Sequence, residues 1–284
     1  MSRSPDAKSL CALALALCLL PLAACARREN GGFACEYGVF LSHEGDLAAL
    51  EAYRTVVIDA QYVSAEDVAA FRARGHTVYS YLNVGSLESF RDYYDAYRDL
   101  ALGAYEHWDE EVWIDAGSGA WQTFILQTLA PRLLEKGVDG FFVDNCDVYY
   151  HYPRQDIFDG LTRILKGLRA SGARVVINGG DAYLTAYCAD GARASDVADG
   201  VNQESVFTSV DWDAGSFGRA SAEDRAYFTD YVERCAAQGL EVFLLEYTTD
   251  AALMREIDEY CALHGFRYYV SGSLELGADA GAAA

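Results

Sequence analysis

The sequence predicts a single (β/α)8 barrel, an α/β fold in which eight parallel strands alternate with helices. Short apolar runs alternate with helical patterns over about 245 residues, the usual size of such a barrel. The run 138–143 is almost entirely apolar, which is typical of a parallel strand buried on both faces. An open doubly wound sheet is the alternative, but no G-x-G-x-x-G or G-x-x-x-x-G-K turn follows any strand.

Eight apolar runs are predicted strands because each is bounded by polar or turn-forming residues. They comprise residues 37–41, 55–59, 77–83, 138–143, 174–178, 199–207, 240–246 and 267–270.

The segments between these strands carry helix start and stop signals. Ser64 precedes Glu66 and Asp67, and Gly75 follows, which is the order of an N-cap, an acidic first turn and a glycine stop. The predicted helices comprise residues 46–53, 64–75, 120–136, 156–170, 182–188, 221–238 and 251–264.

The connection 84–112 is longer than the others and is rich in aromatic and acidic residues. Long connections in compact domains are often functional. Two interpretations stand: a lid or groove wall, and a helical excursion that packs on the barrel rim.

Residues 1–24 are predicted to be a signal peptide. Arg3 and Lys8 precede the apolar run 10–22, which is too short to span a bilayer. Residues 22–25, Leu-Ala-Ala-Cys, resemble a bacterial lipobox, which implies cleavage before Cys25 and a lipid on that cysteine. The alternative is a secreted protein cleaved by an ordinary signal peptidase.

The lipobox interpretation defines the organisation of the mature chain. A lipidated tether at 25–35 leads to the barrel at 36–276, and a loose tail follows at 277–284. The protein is then expected to be exported and anchored in a membrane through Cys25, facing the periplasm or the cell exterior.

The cysteines beyond Cys25 are scattered and form no C-x-x-C pair, so no zinc site is expected. Their number is odd, so at least one thiol should stay free. Cys188 with Cys235 is a conceivable pair, because both fall on helices expected to be neighbours.

The net charge of −21 disfavours nucleic acid as a partner, because phosphates would be repelled. Such a charge is compatible with a neutral or cationic ligand.

Polar residues end nearly every predicted strand. In a barrel these strand ends surround one pocket, where enzymes of this fold place their chemistry. No G-x-S-x-G or H-E-x-x-H motif is present, and neither a cofactor nor a metal is predicted. Carboxylates without a histidine, lysine or metal partner favour glycoside cleavage as the chemistry. The 20 tyrosines supply aromatic faces on which sugars stack. These strand-end residues are Asp59, Asn83, Asp144, Asn145, Asp147, Asn178, Glu204, Glu246 and Tyr247.

Four short motifs resemble glycoside hydrolase family 114, the endo-α-1,4-polygalactosaminidases. They are Asp144-Asn-Cys-Asp-Val-Tyr149, Tyr81-Leu-Asn-Val-Gly-Ser-Leu-Glu88, Trp113-Ile-Asp115, and residues 199–205 with Glu204. The similarity runs in register over roughly residues 37–276. Two positions depart from the family pattern: Ser86, where many relatives carry an acid, and Glu246, where relatives often carry Asp.

The resemblance implies a barrel that hydrolyses an α-linked, amino-sugar-rich polysaccharide, which is expected to be cationic and to contain galactosamine. It implies Asp144 as nucleophile and Glu204 as acid/base, with retention of configuration. The remaining candidate sugar-binding residues are Asp59, Tyr81, Asn83, Asp115, Asn145, Asp147, Tyr149, Asn178 and Tyr247.

Two rival functions remain at this point. One is a non-catalytic carbohydrate-binding surface lipoprotein, and the other is an α-glycosidase of different specificity. A pure binder has no need of a paired acid and base, so the presence of Asp144 and Glu204 favours an enzyme.

Overall fold

The computed structural model describes residues 33–189 and 191–278. The predicted signal peptide, Cys25 and most of the predicted tether and tail lie outside the described residues. Among the described residues, no helix is both long enough and apolar enough to cross a bilayer.

Eight parallel strands form the barrel, which confirms the predicted fold. They are β1 Cys35–Phe40, β2 Tyr53–Ile58, β3 Thr77–Asn83, β7 Gly140–Asp144, β8 Arg174–Asn178, β9 Gly200–Glu204, β12 Glu241–Tyr247 and β13 Arg267–Ser271. Their order around the sheet is β1-β2-β3-β7-β8-β9-β12-β13, and β13 lies against β1.

Two small antiparallel sheets rise from the carboxyl end of the barrel. The first follows β3 and joins β4 (Ser86–Glu88), β5 (Ala101–Ala104) and β6 (Glu111–Ile114) in the order β4-β6-β5. The second follows β9 and is a hairpin of β10 (Thr208–Asp211) and β11 (Ser216–Arg219). The long connection 84–112 therefore contributes strands to a wall above the barrel, and a short helical stretch, Tyr94–Tyr97 followed by Arg98–Leu100, lies between β4 and β5.

Nine α-helical segments pack around or above the barrel in the described part of the chain. The Oγ atoms of Ser64 and Ser221 accept hydrogen bonds from the backbone N–H groups of Asp67 and Asp224, at 3.1 and 3.0 Å, as N-caps do. The segments are α1 Ala65–Ala73, α2 Tyr94–Tyr97, α3 Gly119–Phe124, α4 Ala130–Glu135, α5 Val148–His151, α6 Gln155–Ala170, α7 Asp181–Ala189, α8 Ala222–Ala237 and α9 Ala251–His264.

Two predicted helices differ from the structure. The predicted helix 46–53 is only a 3-10 turn at Leu47–Leu50, because β2 already begins at Tyr53. The predicted helix 120–136 is a continuous helical run in which the π-helical turn Ile125–Leu129 joins α3 to α4.

The suggested pairing of Cys188 with Cys235 in a disulfide is wrong. Both thiols are free, and the Cys188 thiol lies 3.3 Å from Oε1 of Gln238. Cys146 and Cys261 are also free and buried.

Candidate active site

Asp144 and Glu204 end strands β7 and β9, and Asn178 ends β8 between them. The Nδ2 atom of Asn178 donates to Oδ1 of Asp144 at 2.9 Å and to Oε1 of Glu204 at 2.7 Å. Because both oxygens contact one nitrogen, they lie no farther apart than the sum of these distances, about 5.6 Å. Retaining glycosidases hold their two carboxyl groups about 5–5.5 Å apart, whereas inverting enzymes need about 6.5–9.5 Å.

A buried chain of hydrogen bonds orients the Asn178 amide. The hydroxyl of Tyr37 donates to Oδ1 of Asn202 at 3.2 Å, and Nδ2 of Asn202 donates to Oδ1 of Asn178 at 2.6 Å. The Asn178 oxygen is thereby occupied, so its NH2 group faces the two carboxylates. Sequence reasoning missed Tyr37 and Asn202, although Asn202 and Gln203, two polar residues within a predicted barrel strand, were a usable signal.

The second oxygen of Glu204 is held by Tyr247. The Tyr247 hydroxyl donates to Oε2 at 2.6 Å. Burial and the negative charge of Glu204 raise the pKa of Tyr247 well above its usual range, so the phenol keeps its proton and remains a donor.

The proximity of Glu204 affects the ionisation of Asp144. Burial and the nearby charge of Glu204 raise the pKa of Asp144 from 3.8 to about 6, despite opposing hydrogen bonds from Asn178 and Asn145. Above this pH Asp144 is ionised, which is the form that a nucleophile requires.

The raised pKa of Asp144 predicts a pH-dependent stability cost. The folded protein binds this proton more tightly than the unfolded chain, so unfolding free energy falls as pH rises from 3.8 to about 6. Asp144→Asn should therefore stabilise the protein by about 1–3 kcal/mol near pH 7.5, and by much less near pH 4.5. Chemical denaturation at both pH values measures this, with the exposed Asp92→Asn as control. A stability difference that does not change with pH would contradict the raised pKa.

The turn after β7 is locked against the turn after β3. Asn145 has a left-handed φ of 64°, its Nδ2 atom donates to Oγ of Ser86 at 3.1 Å, and its Oδ1 atom accepts from the Tyr105 hydroxyl at 2.8 Å. A Cβ at Gly85 would lie 1.8 Å from the backbone oxygen of Asn145. Gly85, in the motif 81–88, therefore lets the backbone of that motif lie against the backbone of Asn145 in the motif 144–149.

Gly85→Ala should displace Asn145 and the adjoining Asp144. The contact involves backbone atoms that cannot rotate away, so we expect a stability loss of about 1–3 kcal/mol together with a large loss of activity. The control is Gly119→Ala, where a Cβ meets nothing within 4 Å. Denaturation midpoints and turnover of the two variants provide the comparison, and a Gly85→Ala protein with wild-type values would show that the turn tolerates a side chain.

The loop after Glu204 is anchored by Glu246. This fully buried carboxyl group accepts from the backbone N–H groups of Val206, Phe207 and Thr208 and from the Thr208 hydroxyl, at 2.6 to 3.2 Å. Glu246 therefore shapes the site without facing substrate.

Most of the predicted site residues line one cavity of about 1250 Å3. Those that line it are Asp59, Tyr81, Asp144, Asn145, Asp147, Asn178, Glu204 and Tyr247. Among them, Asp147 accepts from the backbone N–H of Gly180, and burial together with Asp181 and Asp144 raises its pKa to about 7.

Three predicted sugar-binding residues lie outside that lining and have structural contacts instead. Asn83 donates to the Tyr81 hydroxyl and to Oγ of Ser86, Asp115 accepts from the Gly117 N–H, and Tyr149 packs against Phe158. Asp59 does line the cavity, but its carboxylate is paired with Arg91 at 2.5 Å.

The cavity is strongly acidic. Arg91 is the one Lys or Arg among the described residues that line it, and two carboxylates already pair with it. The acids that line the cavity are Glu44, Asp59, Glu88, Glu106, Glu111, Asp144, Asp147, Asp181, Glu204, Asp224 and Glu275. Glu111 was missed as a site residue, although it lies in the acid-rich segment 109–111.

Exposed aromatic rings surround the same cavity. Every exposed Phe, Trp or Tyr side chain among the described residues belongs to its lining: Tyr62, Phe90, Trp108, Tyr150, Trp212 and Tyr227. Rings kept in water around a cavity offer flat apolar faces to a ligand. Trp212 lies at the tip of the β10–β11 hairpin, which the sequence analysis did not predict.

Comparisons with known proteins give a concordant result. The glycoside hydrolase domain of PelA from Pseudomonas aeruginosa is 21% identical, with a TM-score of 0.70 over 85% of this chain and 95% of that chain. Ega3 from Aspergillus fumigatus, solved in complex with galactosamine, is 15% identical, with a TM-score of 0.68 over 86% of this chain and 92% of that chain.

A more distant structure is the α-galactosidase TtGalA from Thermus thermophilus, 13% identical, with a TM-score of 0.54 over 85% of this chain and 58% of that chain. At these identities the structures show the fold. No curated protein matches the sequence. The model of glycoside-hydrolase family GH114 matches residues 24–275, nearly the whole chain, and the protein therefore belongs to that family.

Proposed function

We propose that this glycoside hydrolase cleaves α-linked, amino-sugar-rich polysaccharide of the polygalactosaminidase type, with retention of configuration. Asp144 is the nucleophile and Glu204 the acid/base. The observation that carries the assignment is that Nδ2 of Asn178 contacts one oxygen of each carboxylate. These two oxygens therefore lie within about 5.6 Å of each other, which supports the close spacing of a retaining pair.

The two carboxyl groups act in two steps. In the first, protonated Glu204 donates its proton to the glycosidic oxygen while ionised Asp144 attacks the anomeric carbon, which gives a glycosyl-enzyme ester and a free chain end. In the second, Glu204 takes a proton from water, the water oxygen attacks the anomeric carbon, and the Asp144 carboxylate leaves. Tyr247 and Asn178 stabilise the Glu204 carboxylate each time it forms.

The acidic cavity supports a cationic substrate. The carboxylates that line it outnumber their counter-charges, so an ammonium group of a deacetylated sugar would be attracted and an N-acetyl group would not. The galactosamine bound in the Ega3 structure is in keeping with a substrate of this class.

The rate should therefore depend on the charge of the polymer. We expect kcat/KM to increase with the degree of deacetylation of α-1,4-linked polygalactosamine and to decrease with added salt, because the attraction is screened. Initial rates on polymers of graded acetylation measure this. A preference for the fully acetylated polymer at every salt concentration would remove the cationic substrate from the proposal.

We also propose that the protein is a lipoprotein anchored through Cys25 and exported from the cytoplasm. The support is the charged, apolar and small-residue order of residues 3–25. Cys25→Ser should shift the protein from the membrane fraction to the soluble exported fraction. Cys18→Ser, within the apolar run, is the matched control, and a Cys25→Ser protein that still sediments with membranes would exclude lipidation at that residue.

A further inference from the structure

Two aromatic rings stand exposed on the side of the cavity where β2 and β3 end. Tyr62 is 46% exposed and Phe90 is 57% exposed, and both line the cavity. In the sheet order this side lies beyond Asp144 and away from Glu204.

The turn that carries Tyr62 is held rigidly from beneath. It is a 3-10 turn, Ala60–Tyr62, whose N-cap Asp59 accepts from the Gln61 N–H at 3.0 Å. The Nζ atom of Lys136 donates to the carbonyl oxygens of Ala60, Gln61 and Val63 at 2.6, 3.0 and 2.8 Å. One ammonium group thus fixes carbonyl groups on both sides of Tyr62.

Phe90 is held by the same set of charges. Its neighbour Arg91 pairs with both oxygens of Glu88, at 2.6 and 2.9 Å, and with Asp59 at 2.5 Å. The guanidinium carbon lies 4.9 Å from the centroid of the Phe90 ring and 5.8 Å from that of Tyr62. One buried cation thus supports both rings and also ties the loop after β2 to the wall after β3.

This buried ion group has no hydrogen bond to either catalytic carboxylate. Desolvating three charges costs free energy that a simple apolar filling would not. What the group does accomplish is to hold two water-exposed rings in fixed positions, which lowers the entropy cost of binding a ligand against them.

We propose that Tyr62 and Phe90 form a sugar-binding platform that is remote from the bond cleaved and takes one further unit of the same polysaccharide. The apolar C–H face of that sugar packs on the rings. We expect the same polysaccharide chain to reach both places, because the two rings and the catalytic pair line one continuous cavity. The volume of that cavity exceeds the range of about 300–1,000 Å3 that is typical of small-ligand sites. The inference rests on the proposed function for the identity of the polymer.

The test is the dependence of rate on chain length. In wild type, kcat/KM should be greater for long α-1,4-galactosamine oligosaccharides than for short ones that cannot reach the platform. In Tyr62→Ala/Phe90→Ala the long-to-short ratio should fall about tenfold, mainly through KM. Leu263→Ala, which removes an exposed apolar side chain away from the cavity, should keep the wild-type ratio. If the double variant lost kcat/KM in equal proportion on oligosaccharides of all lengths, or lost none, the platform proposal would be overturned.

Binding in an inactive background separates this inference from the proposed function. With Asp144→Asn in both proteins, the double variant should bind the long galactosamine oligosaccharide about tenfold more weakly than the protein with intact rings, as measured by calorimetry. If wild type cleaves no galactosamine polymer, the proposed function fails, and the same comparison is made on an array of neutral and amino-sugar glycans. Equal binding by the two proteins there would overturn the platform independently.

Discussion

Asp144→Asn and Glu204→Gln should each lower kcat by at least about 10³-fold, because each removes one half of a two-carboxylate mechanism. Neither change removes a large volume, and the oxygen of the new Asn or Gln amide can still accept from Nδ2 of Asn178. The variants should therefore stay folded, which circular dichroism and thermal denaturation check. Turnover is measured on α-1,4-linked polygalactosamine, whose poor leaving group needs acid assistance. An aryl α-galactosaminide, whose good leaving group needs little, is kept for the azide experiment.

The two roles can be told apart with azide. In Asp144→Ala, azide should occupy the space of the missing carboxylate and attack the sugar directly, so the glycosyl azide has inverted configuration. In Glu204→Ala, Asp144 still forms the ester, and azide then attacks it to give a product of retained configuration. Glu106→Gln, an exposed acid in the cavity lining, should cost less than about tenfold. The opposite pattern of azide products would exchange the two assignments.

Arg91→Met should destabilise the protein by about 3–5 kcal/mol, since it leaves Asp59 and Glu88 as uncompensated buried carboxylates. The side chains of Arg91 and Glu88 are 3% and 5% exposed, so water cannot replace the lost pairing. Denaturant unfolding should show a lower midpoint with an unchanged slope. The control is Arg132→Met, whose partner Asp92 is exposed, and whose loss should cost under about 1 kcal/mol.

A second variant distinguishes charge from packing at this position. Arg91→Met combined with Glu88→Leu and Asp59→Asn removes the unpaired charges and keeps an N-cap acceptor at position 59, so it should recover a large part of the loss. If the triple variant is as unstable as Arg91→Met, the destabilisation comes from packing against the aromatic rings.

Local signals were sufficient for most of the fold. Strand β3 and helix α9 match their predicted bounds, because an apolar run and a cap with a glycine stop are both encoded within a few residues. The β10–β11 hairpin and the sheet of β4, β5 and β6 were missed, because the pairing of these short strands does not produce a periodic pattern of apolar residues in the sequence.

The candidate site was predicted in part for the same reason. Strand ends converge in any barrel, so the carboxylates could be placed in one pocket from their positions alone. Whether a strand-end acid is free to meet substrate depends on distant residues. The carboxylate of Asp59 pairs with Arg91, which lies 32 positions later in the sequence. The amide of Asn178 is oriented by Asn202, which in turn accepts a hydrogen bond from Tyr37, 165 positions away from it in the sequence.

Release of reducing oligosaccharides from partially deacetylated α-1,4-polygalactosamine, by wild type beside Asp144→Asn, tests the central claim most directly. The structure predicts oligosaccharides from wild type and none above background from the variant, in a reaction that added salt slows. Release by both proteins would remove Asp144 from catalysis. Release by neither, from folded protein, would contradict polygalactosamine as the substrate.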